Sequence, residues 1–242
     1  MIKEAINRVI ELARDPVVQV NGRKYNGATL APILEPLQQA LGVSTLDSLI
    51  EYLSGNPDGL IPTIGLILLV QDTHNVALFS QVNGDWKNRH NYVHVADRSP
   101  TFNFGQWINL ESFLIQAQTF FSDTNERNQL IHILGNVREE TTIKRLDDGM
   151  SQQVETVEKV AGKVDEAPLP RVIRLNAWRT FPEIGAIPGE FVFRMQKGER
   201  NGPVCALFET AERVWEREAI ERIKEYLETK ASLFSVPVVI MA

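Results

Sequence analysis

The densest group of side chains that could carry chemistry lies past the middle of the chain, in Asp147-Asp148-Gly149 and onward to Gln152. Two neighbouring carboxylates can hold Mg²⁺ for phosphoryl chemistry. Adjacent residues of a strand point to opposite faces, however, and Asp-Gly is a common turn dipeptide. The sequence therefore favours a turn, with a binding site formed by Asp147, Asp148 and Gln152 as the alternative.

A second candidate group is cationic. Arg174, Arg179 and Arg194 fall on neighbouring predicted strands, where the Arg179 guanidinium could bind a phosphate or a carboxylate. An internal salt bridge from Arg179 to Glu183 or Glu209 is the favoured interpretation. Arg174 and Arg179 remain candidate binding residues beside it.

The tryptophans offer a third kind of site, because large aromatic side chains supply much of the binding energy at interfaces. Trp86 lies between Asp85 and Lys87 on a predicted short loop, so it is expected to be exposed. It is the best interface candidate. Trp107, Trp178 and Trp215 are expected in or near the core.

The other reactive side chains do not predict catalysis. His90 and His94 are four residues apart, but they lie across the start of a predicted strand rather than on a helix, so they do not suggest a zinc site. The single cysteine, Cys205, is expected to be a small buried hydrophobic residue. Serine-elbow, P-loop and dinucleotide-binding fingerprints are absent from the sequence. We expect no cofactor and no metal, and we do not favour an enzyme.

Composition restricts the class of protein further. The 242 residues are 43% hydrophobic, enough for a core without disulfides. A net charge of −6 argues against a dedicated binder of duplex DNA, which needs clustered Lys and Arg. The longest apolar run, residues 60–70, is interrupted by Pro62 and Gly65 and is too short to span a bilayer. Glu4 and Glu11 in the first helical segment are not typical of a signal peptide. These features predict a cytoplasmic protein with no membrane partner.

Hydrophobic periodicity predicts an α+β fold with antiparallel sheets in two meanders. A central helical hairpin lies between the meanders, and a C-terminal helix is followed by a terminal strand. The predicted strands are residues 66–70, 76–80 and 91–96 in the first meander and 172–175, 191–196 and 204–208 in the second. The predicted helices are residues 113–121, 125–137 and 212–230, with Asn109 or Asn103 as the cap of the first.

The rest of the chain gives shorter signals. A helix over residues 1–13 should end at Asp15-Pro16, and Asn21-Gly22 predicts a type I′ hairpin. A short helix is predicted at 36–41, closed by Gly42, and the next helix is capped at Ser44-Thr45.

Two strands interrupted at 147–149 are predicted within residues 141–161, and an acidic loop or hinge at 164–170. The uniformly apolar strand at 236–241 is expected to be central in a sheet or to form a subunit contact. We expect one domain over 1–242, either continuous or with an N-terminal helical subdomain at 1–60 and an extended β segment at 141–165.

Several motifs, in order along about residues 41–227, resemble the YfdQ-like family of conserved phage and prophage proteins of unknown function. The motifs are Thr45-Leu46-Asp47-Ser48-Leu49-Ile50-Glu51-Tyr52, Glu111-Ser112-Phe113 with Gln118, Asp147-Asp148-Gly149-Met150-Ser151-Gln152, Arg179-Thr180-Phe181-Pro182-Glu183-Ile184 and Ala206-Leu207-Phe208-Glu209. The resemblance implies a phage or prophage setting. It implies no activity and no catalytic residue. One departure is visible, because Thr210-Ala211-Glu212-Arg213 stands where the family pattern has Ala-Asp-Gly-Gly, which weakens any role of that turn in binding a ligand.

These observations predict a non-enzymatic phage or prophage accessory protein in the host cytoplasm. It would self-associate as a homo-oligomer and bind a host or phage protein, for instance a defence or repair complex. One alternative is a recombination accessory that binds single-stranded nucleic acid through Arg174, Arg179 and Trp178, although nucleic acid is not the favoured partner. The others are a metal-dependent hydrolase built on Asp147 and Asp148, and a self-assembling shell or lattice protein.

Overall fold

The structure of the chain is a computed structural model. It describes residues 2–14, 17–26, 33, 38–60, 65–82, 87–137, 144–145, 152–157, 164–198, 202–211 and 213–242. Asp147, Asp148 and Trp86 lie outside these ranges, so the predictions made for them lie outside the described residues. Gln152 is described only as a backbone position in a strand.

The α-helices begin where side chains can cap them. Thr45, Asn109 and Thr124 each accept a hydrogen bond from a backbone N–H in the first turn of the helix that follows. Capping by Thr45 and by Asn109 is thereby confirmed. The helices are α1 (Ile2–Arg14), α2 (Leu46–Gly55), α3 (Leu110–Phe120), α4 (Asn125–Gly135) and α5 (Val214–Lys230).

The strands confirm both predicted meanders and the predicted hairpin. They are β1 (Val17–Val20), β2 (Arg23–Asn26), β3 (Leu41–Val43), β4 (Leu66–Val70), β5 (Asn75–Ser80), β6 (Asn91–Ala96), β7 (Ile108–Asn109), β8 (Lys144–Arg145), β9 (Gln152–Val157), β10 (Val164–Leu169), β11 (Val172–Ala177), β12 (Ile187–Lys197), β13 (Pro203–Glu209) and β14 (Val238–Met241). Short 3₁₀ helices cover Pro182–Ile184 and Ala231–Leu233. In the β1–β2 hairpin, Asn21 and Gly22 have φ angles of 52° and 80°, as a type I′ turn requires.

The first meander forms the middle of a five-stranded sheet with the order β14-β4-β5-β6-β3. The two outer strands, β14 and β3, run parallel to their neighbours, whereas the three inner strands are antiparallel. The central position predicted for the terminal strand is wrong, because β14 is an edge strand with Val239 55% and Met241 48% exposed. Val238 and Ile240 pack on the core, whereas the alternative function of this strand as a subunit contact stays a prediction.

The helix predicted to end at Leu41 and Gly42 is also wrong. Both residues belong to β3, which pairs in parallel with β6. The pairing is with a strand about 50 positions away, with Val43 opposite Val95, so the glycine that suggests a local helix stop lies inside a strand. Residues 34–37 lie outside the described part of the chain.

The second meander forms a four-stranded sheet with the order β11-β12-β13-β7. The predicted helical hairpin, α3 and α4, packs on one face of this sheet. The remaining sheet has the order β10-β9-β8. The loop or hinge predicted at residues 164–170 is wrong, since β10 pairs with β9 over its whole length. β10 is an outer strand of this sheet, the position at which proline is tolerated in a strand.

The apolar side chains form two core clusters. The first core lies between the five-stranded sheet and the helices α2 and α5, and the second lies between the four-stranded sheet and α3 and α4. Both α2 and β3 contribute to the first core together with α5, although they fall within residues 1–60. The division of the chain into subdomains stays a prediction. None of the helices among the described residues has the length and apolar character needed to cross a membrane.

Removal of the Thr124 N-cap tests how much this cap contributes to the stability of α4. Thr124→Ala is expected to lower the free energy of unfolding by about 1 kcal/mol, because the Arg127 N–H loses an acceptor that lies 3.2 Å away. Thr119→Ala is the control, since the Thr119 hydroxyl donates to a carbonyl within α3 and caps no helix end. Urea unfolding should separate the two variants, and equal losses would contradict the capping role.

Candidate functional site

The candidate site is centred on Arg179, in the connection between β11 and β12. The preceding residue, Trp178, donates its backbone N–H to the Phe120 carbonyl at 2.9 Å. Phe181, two residues after Arg179, is fully buried in the first core. Because β11 and β12 belong to the second core, residues 178–186 cross from one core to the other and back. Arg179 lies at the first crossing.

Arg179 is a buried cation with one carboxylate partner. Its side chain is 4% exposed, and its Nη1 lies 2.6 Å from Oε1 of Glu209 on β13. The predicted internal salt bridge is therefore confirmed, with Glu209 as the partner. Three aromatic rings surround the guanidinium carbon, with their centroids 4.6 Å (Phe104), 4.9 Å (Phe191) and 4.8 Å (Trp215) away. We call these five residues the arginine cage.

The cage compensates the cost of burying a charge. Burial lowers the pKa of the Arg179 guanidinium, while the charge and hydrogen bond of Glu209 oppose the shift. Since an arginine pKa begins above 12, the group stays charged in the folded protein. Its Nε–H is buried and has no hydrogen-bond partner among the described residues, a loss of about 1–3 kcal/mol. Glu209 and the three rings must therefore hold the guanidinium in place.

The residues after Arg179 fasten the connection to the first core. The Thr180 hydroxyl donates to the Thr73 carbonyl in the turn between β4 and β5. Oε1 of Glu183 accepts the backbone N–H of Leu46 at 2.8 Å, at the positive N-terminal end of α2. Glu183 thus caps α2 and does not pair with Arg179, although the sequence offers it as an equal alternative to Glu209.

A cavity of about 630 Å³ opens beside the arginine cage, between the strands β11 and β12 and the N-terminal ends of α4 and α5. The partly exposed Trp215 gives it apolar surface, Phe191 lies fully buried behind its wall, and Val214, 66% exposed, lies at its edge. A neighbouring cavity of about 620 Å³ runs along β11 and α4 and shares Glu126, Arg174 and Glu190 with it. We call the two cavities together the cleft, since they lie side by side and share these three residues.

Carboxylates outnumber cations in the wall of the cleft. Its described acidic residues are Glu126, Glu190, Glu209 and Glu218, and its described basic residues are Arg174 and Arg179. Arg174 pairs with Glu190 at 2.9 Å on the exposed sheet surface, and Glu218 pairs with Arg222 at 2.6 Å. With four carboxylates and two guanidinium groups, the described lining has a net negative charge.

The structure brings Arg174 and Arg179 to the same cleft but gives them different surroundings. Arg174 is 79% exposed, whereas Arg179 is buried. Trp178 and Trp107 are 38% and 40% exposed, more than expected for core residues, whereas Trp215 is partly buried. Trp178 does not belong to the described lining of the cleft. The sequence therefore identifies both arginines of the cleft but not Trp215, and nucleic-acid binding through Trp178 stays a prediction.

The sequence misses the aromatic part of the cage. Phe104, Phe191 and Trp215 are far apart in the chain and on three different elements, so no spacing joins them to Arg179. The one available signal is Glu209, which is a predicted partner of Arg179 and belongs to the last motif of the family resemblance. The aromatic residues could be found only through the pairing of β12 with β13, which places Phe191 opposite Glu209.

A smaller cavity of about 430 Å³ lies on the other side of the cage, and Arg179, Glu209 and Trp215 line both. Arg213 also lines this cavity and has a φ of 67°, a left-handed value that glycine adopts without steric cost. The turn before α5 therefore holds a non-glycine residue in a conformation that favours glycine.

The other reactive side chains lie apart from the cleft. Cys205 is fully buried on β13, where burial raises the pKa of its thiol to about 12. The predicted role as a buried hydrophobic residue is confirmed. His74 pairs with Asp97 at 3.2 Å in the loop region next to β5. Among the described residues, no cluster of His, Cys, Asp and Glu has the arrangement of a metal site.

Comparisons with protein-family models, with curated proteins and with solved structures find no match to this chain.

A double-mutant cycle tests the cage. Arg179→Met and Glu209→Gln should each lower the free energy of unfolding by about 3 kcal/mol, because each leaves the other charge without its partner. The double variant should lose much less than the sum of the two. Arg174→Met is the control, since its exposed pair with Glu190 should contribute less than about 1 kcal/mol. Additive losses at Arg179 and Glu209 would mean that the two charges are not coupled.

The thiol of Cys205 provides an independent probe of the second core. At pH 8 in native buffer it should react with a disulfide reagent at least a hundredfold more slowly than in concentrated guanidinium chloride, because the protein hides it and keeps it protonated. Absorbance at the wavelength of the released thiolate measures both rates. Rapid native labelling would show that β13 is open to solvent.

Proposed function

We propose that this protein is a non-enzymatic binding protein that acts in the phage or prophage setting implied by its motifs. In this proposal it self-associates in the host cytoplasm and holds a segment of a partner protein in the cleft. The cleft beside the arginine cage is the observation that carries the proposal. A groove with apolar walls and polar residues at its edge is the usual form of a binding site.

The shape and charge of the cleft favour an extended, basic polypeptide segment. Its two cavities lie side by side and share Glu126, Arg174 and Glu190, an arrangement that suits an extended chain better than a compact small molecule. The partly exposed Trp215 can receive an apolar side chain, and Glu126 at the edge can receive Lys or Arg. The proposed partner is therefore a host or phage protein with a basic segment.

The same geometry gives less support to the other functions. Nucleic acid would meet a wall with a net negative charge, and Arg179 is already paired with Glu209. Three of the four described carboxylates of the cleft, Glu190, Glu209 and Glu218, are paired with arginines, which does not favour a role as general base. The hydrolase based on Asp147 and Asp148 stays a prediction, since both residues lie outside the described part of the chain.

Selection from a random dodecapeptide library tests the proposal and does not require the partner protein to be identified first. We expect enrichment of peptides that combine Lys or Arg with an aromatic or aliphatic residue. Their affinity, measured by fluorescence anisotropy, should fall at least tenfold in Glu218→Lys, because this substitution reverses a charge in the wall of the cleft.

Glu221→Lys is the matched control. Both residues lie on α5 and form an ion pair with an arginine one turn away, but Glu221 does not line the described cleft. Failure to enrich any sequence, or equal binding by the Glu218 and Glu221 variants, would contradict the proposed site.

A further inference from the structure

The first helix exposes a continuous apolar stripe. Ile2, Ile6, Val9 and Ile10 lie at helical spacing on one face of α1, with exposures of 79%, 53%, 65% and 44%. We call these four residues the helix stripe. A helix of 13 residues is only marginally stable in water without packing partners. The helix stripe therefore needs a surface to cover it.

The five-stranded sheet offers such a surface on its side away from the first core. In the register, Ile67 is opposite both Phe79 and Val239, and Leu69 is opposite Met241, so their side chains share one face. We call these five residues the outer face. Alternate residues of the same strands, such as Leu66 and Leu68, point the other way and belong to the first core.

The outer face is apolar and only partly covered. Val239 and Met241 are 55% and 48% exposed, and Ile67, Leu69 and Phe79 are partly buried. An apolar sheet face of this kind usually packs against a helix. Its edge strand, β14, carries no charged residue that would discourage contact with another chain.

The helix and the strands of the outer face match in length. A helix of 13 residues is about 20 Å long, and β4 and β5, with five and six residues, are about 17 and 20 Å long, so the helix stripe can lie along the strands. The helix stripe and the outer face are apolar, so the contact would bury apolar groups, and the same side of the sheet also carries the fully buried Ala77 and the partly buried His94. Glu4, Arg8 and Glu11 lie on the opposite face of α1, and Lys3 borders the helix stripe, where its long side chain can reach water.

We propose that α1 of one copy packs its helix stripe on the outer face of a second copy. In the single chain the helix stripe remains exposed, so its own sheet does not cover it. A reciprocal exchange would give a closed two-fold dimer in which both helices and both outer faces are covered. The proposed dimer rests on the self-association in the proposed function and names the two surfaces that form it. It does not depend on peptide binding in the cleft.

The oligomeric state of charge variants tests the surfaces. Sedimentation velocity of the full chain should give a dimer, and Ile6→Glu and Val239→Glu should each shift the population to monomer by weakening the dimer at least a hundredfold. Ile115→Glu is the control, since Ile115 is a 59% exposed residue of α3 away from both surfaces, and it should remain a dimer.

A cross-link distinguishes a second copy from the chain's own helix. Ile6→Cys in a mass-tagged chain and Val239→Cys in an untagged chain should form a mixed disulfide dimer when mixed and oxidised, while Cys205 stays buried. A third chain carries both Ile6→Cys and Val239→Cys. If it forms an intrachain disulfide and the two single variants form no mixed dimer, the helix covers the sheet of its own chain and the proposal is overturned.

The failures of the two proposals can be told apart. A dimer that persists in both Glu variants would overturn the assigned surfaces and leave self-association standing. A wild-type monomer at all concentrations would overturn self-association as well. Neither result would change the peptide selection, which reports on the cleft alone.

Discussion

The buried ion pair between Arg179 and Glu209 is the constraint on which the arrangement of the two cores depends. A guanidinium that is 4% exposed must keep its carboxylate partner, because an unpaired buried charge would cost several kcal/mol. The pair joins the β11–β12 connection to β13, and Trp215 adds the first turn of α5. Four separate segments, including the loop that contributes Phe104, are therefore held at one position.

The two cores are connected by segments that pass the arginine cage. Residues 178–186 leave the second core at Ala177 and place Phe181 in the first core, and Glu183 then caps α2. The helix α5 makes a similar crossing, with Trp215 at the arginine cage and Ile223 and Leu227 in the first core. The cleft lies where these two crossings meet, so its shape depends on the contact between the cores.

Local signals predict much of the fold. Asn21-Gly22, Thr45 and Asn109 act through the residues next to them, so a turn or a cap can be recognised from the sequence alone. The two meanders follow for the same reason, because each strand pairs with the next one in the chain. Most of what fails is non-local: the edge strand β14 and the parallel strand β3 depend on partners at distant positions.

The candidate site likewise has a part that the sequence predicts and a part that depends on the fold. An arginine among strands suggests a salt bridge, and Glu209 could be named as a partner because buried charges are paired. The three rings around the guanidinium come from a loop, a strand and a helix, so their convergence is a property of the fold. The sequence thus predicts the charge at the site but neither its cage nor the cleft beside it.

Native-state hydrogen exchange tests most directly whether the cage couples the two cores. Amides of β5 in the first core and of β12 in the second should exchange with the same free energy of opening in the intact protein, because the cores unfold as one unit. In the protein with Arg179→Met and Glu209→Gln the two values should separate. Different opening energies for β5 and β12 already in the intact protein would contradict the account.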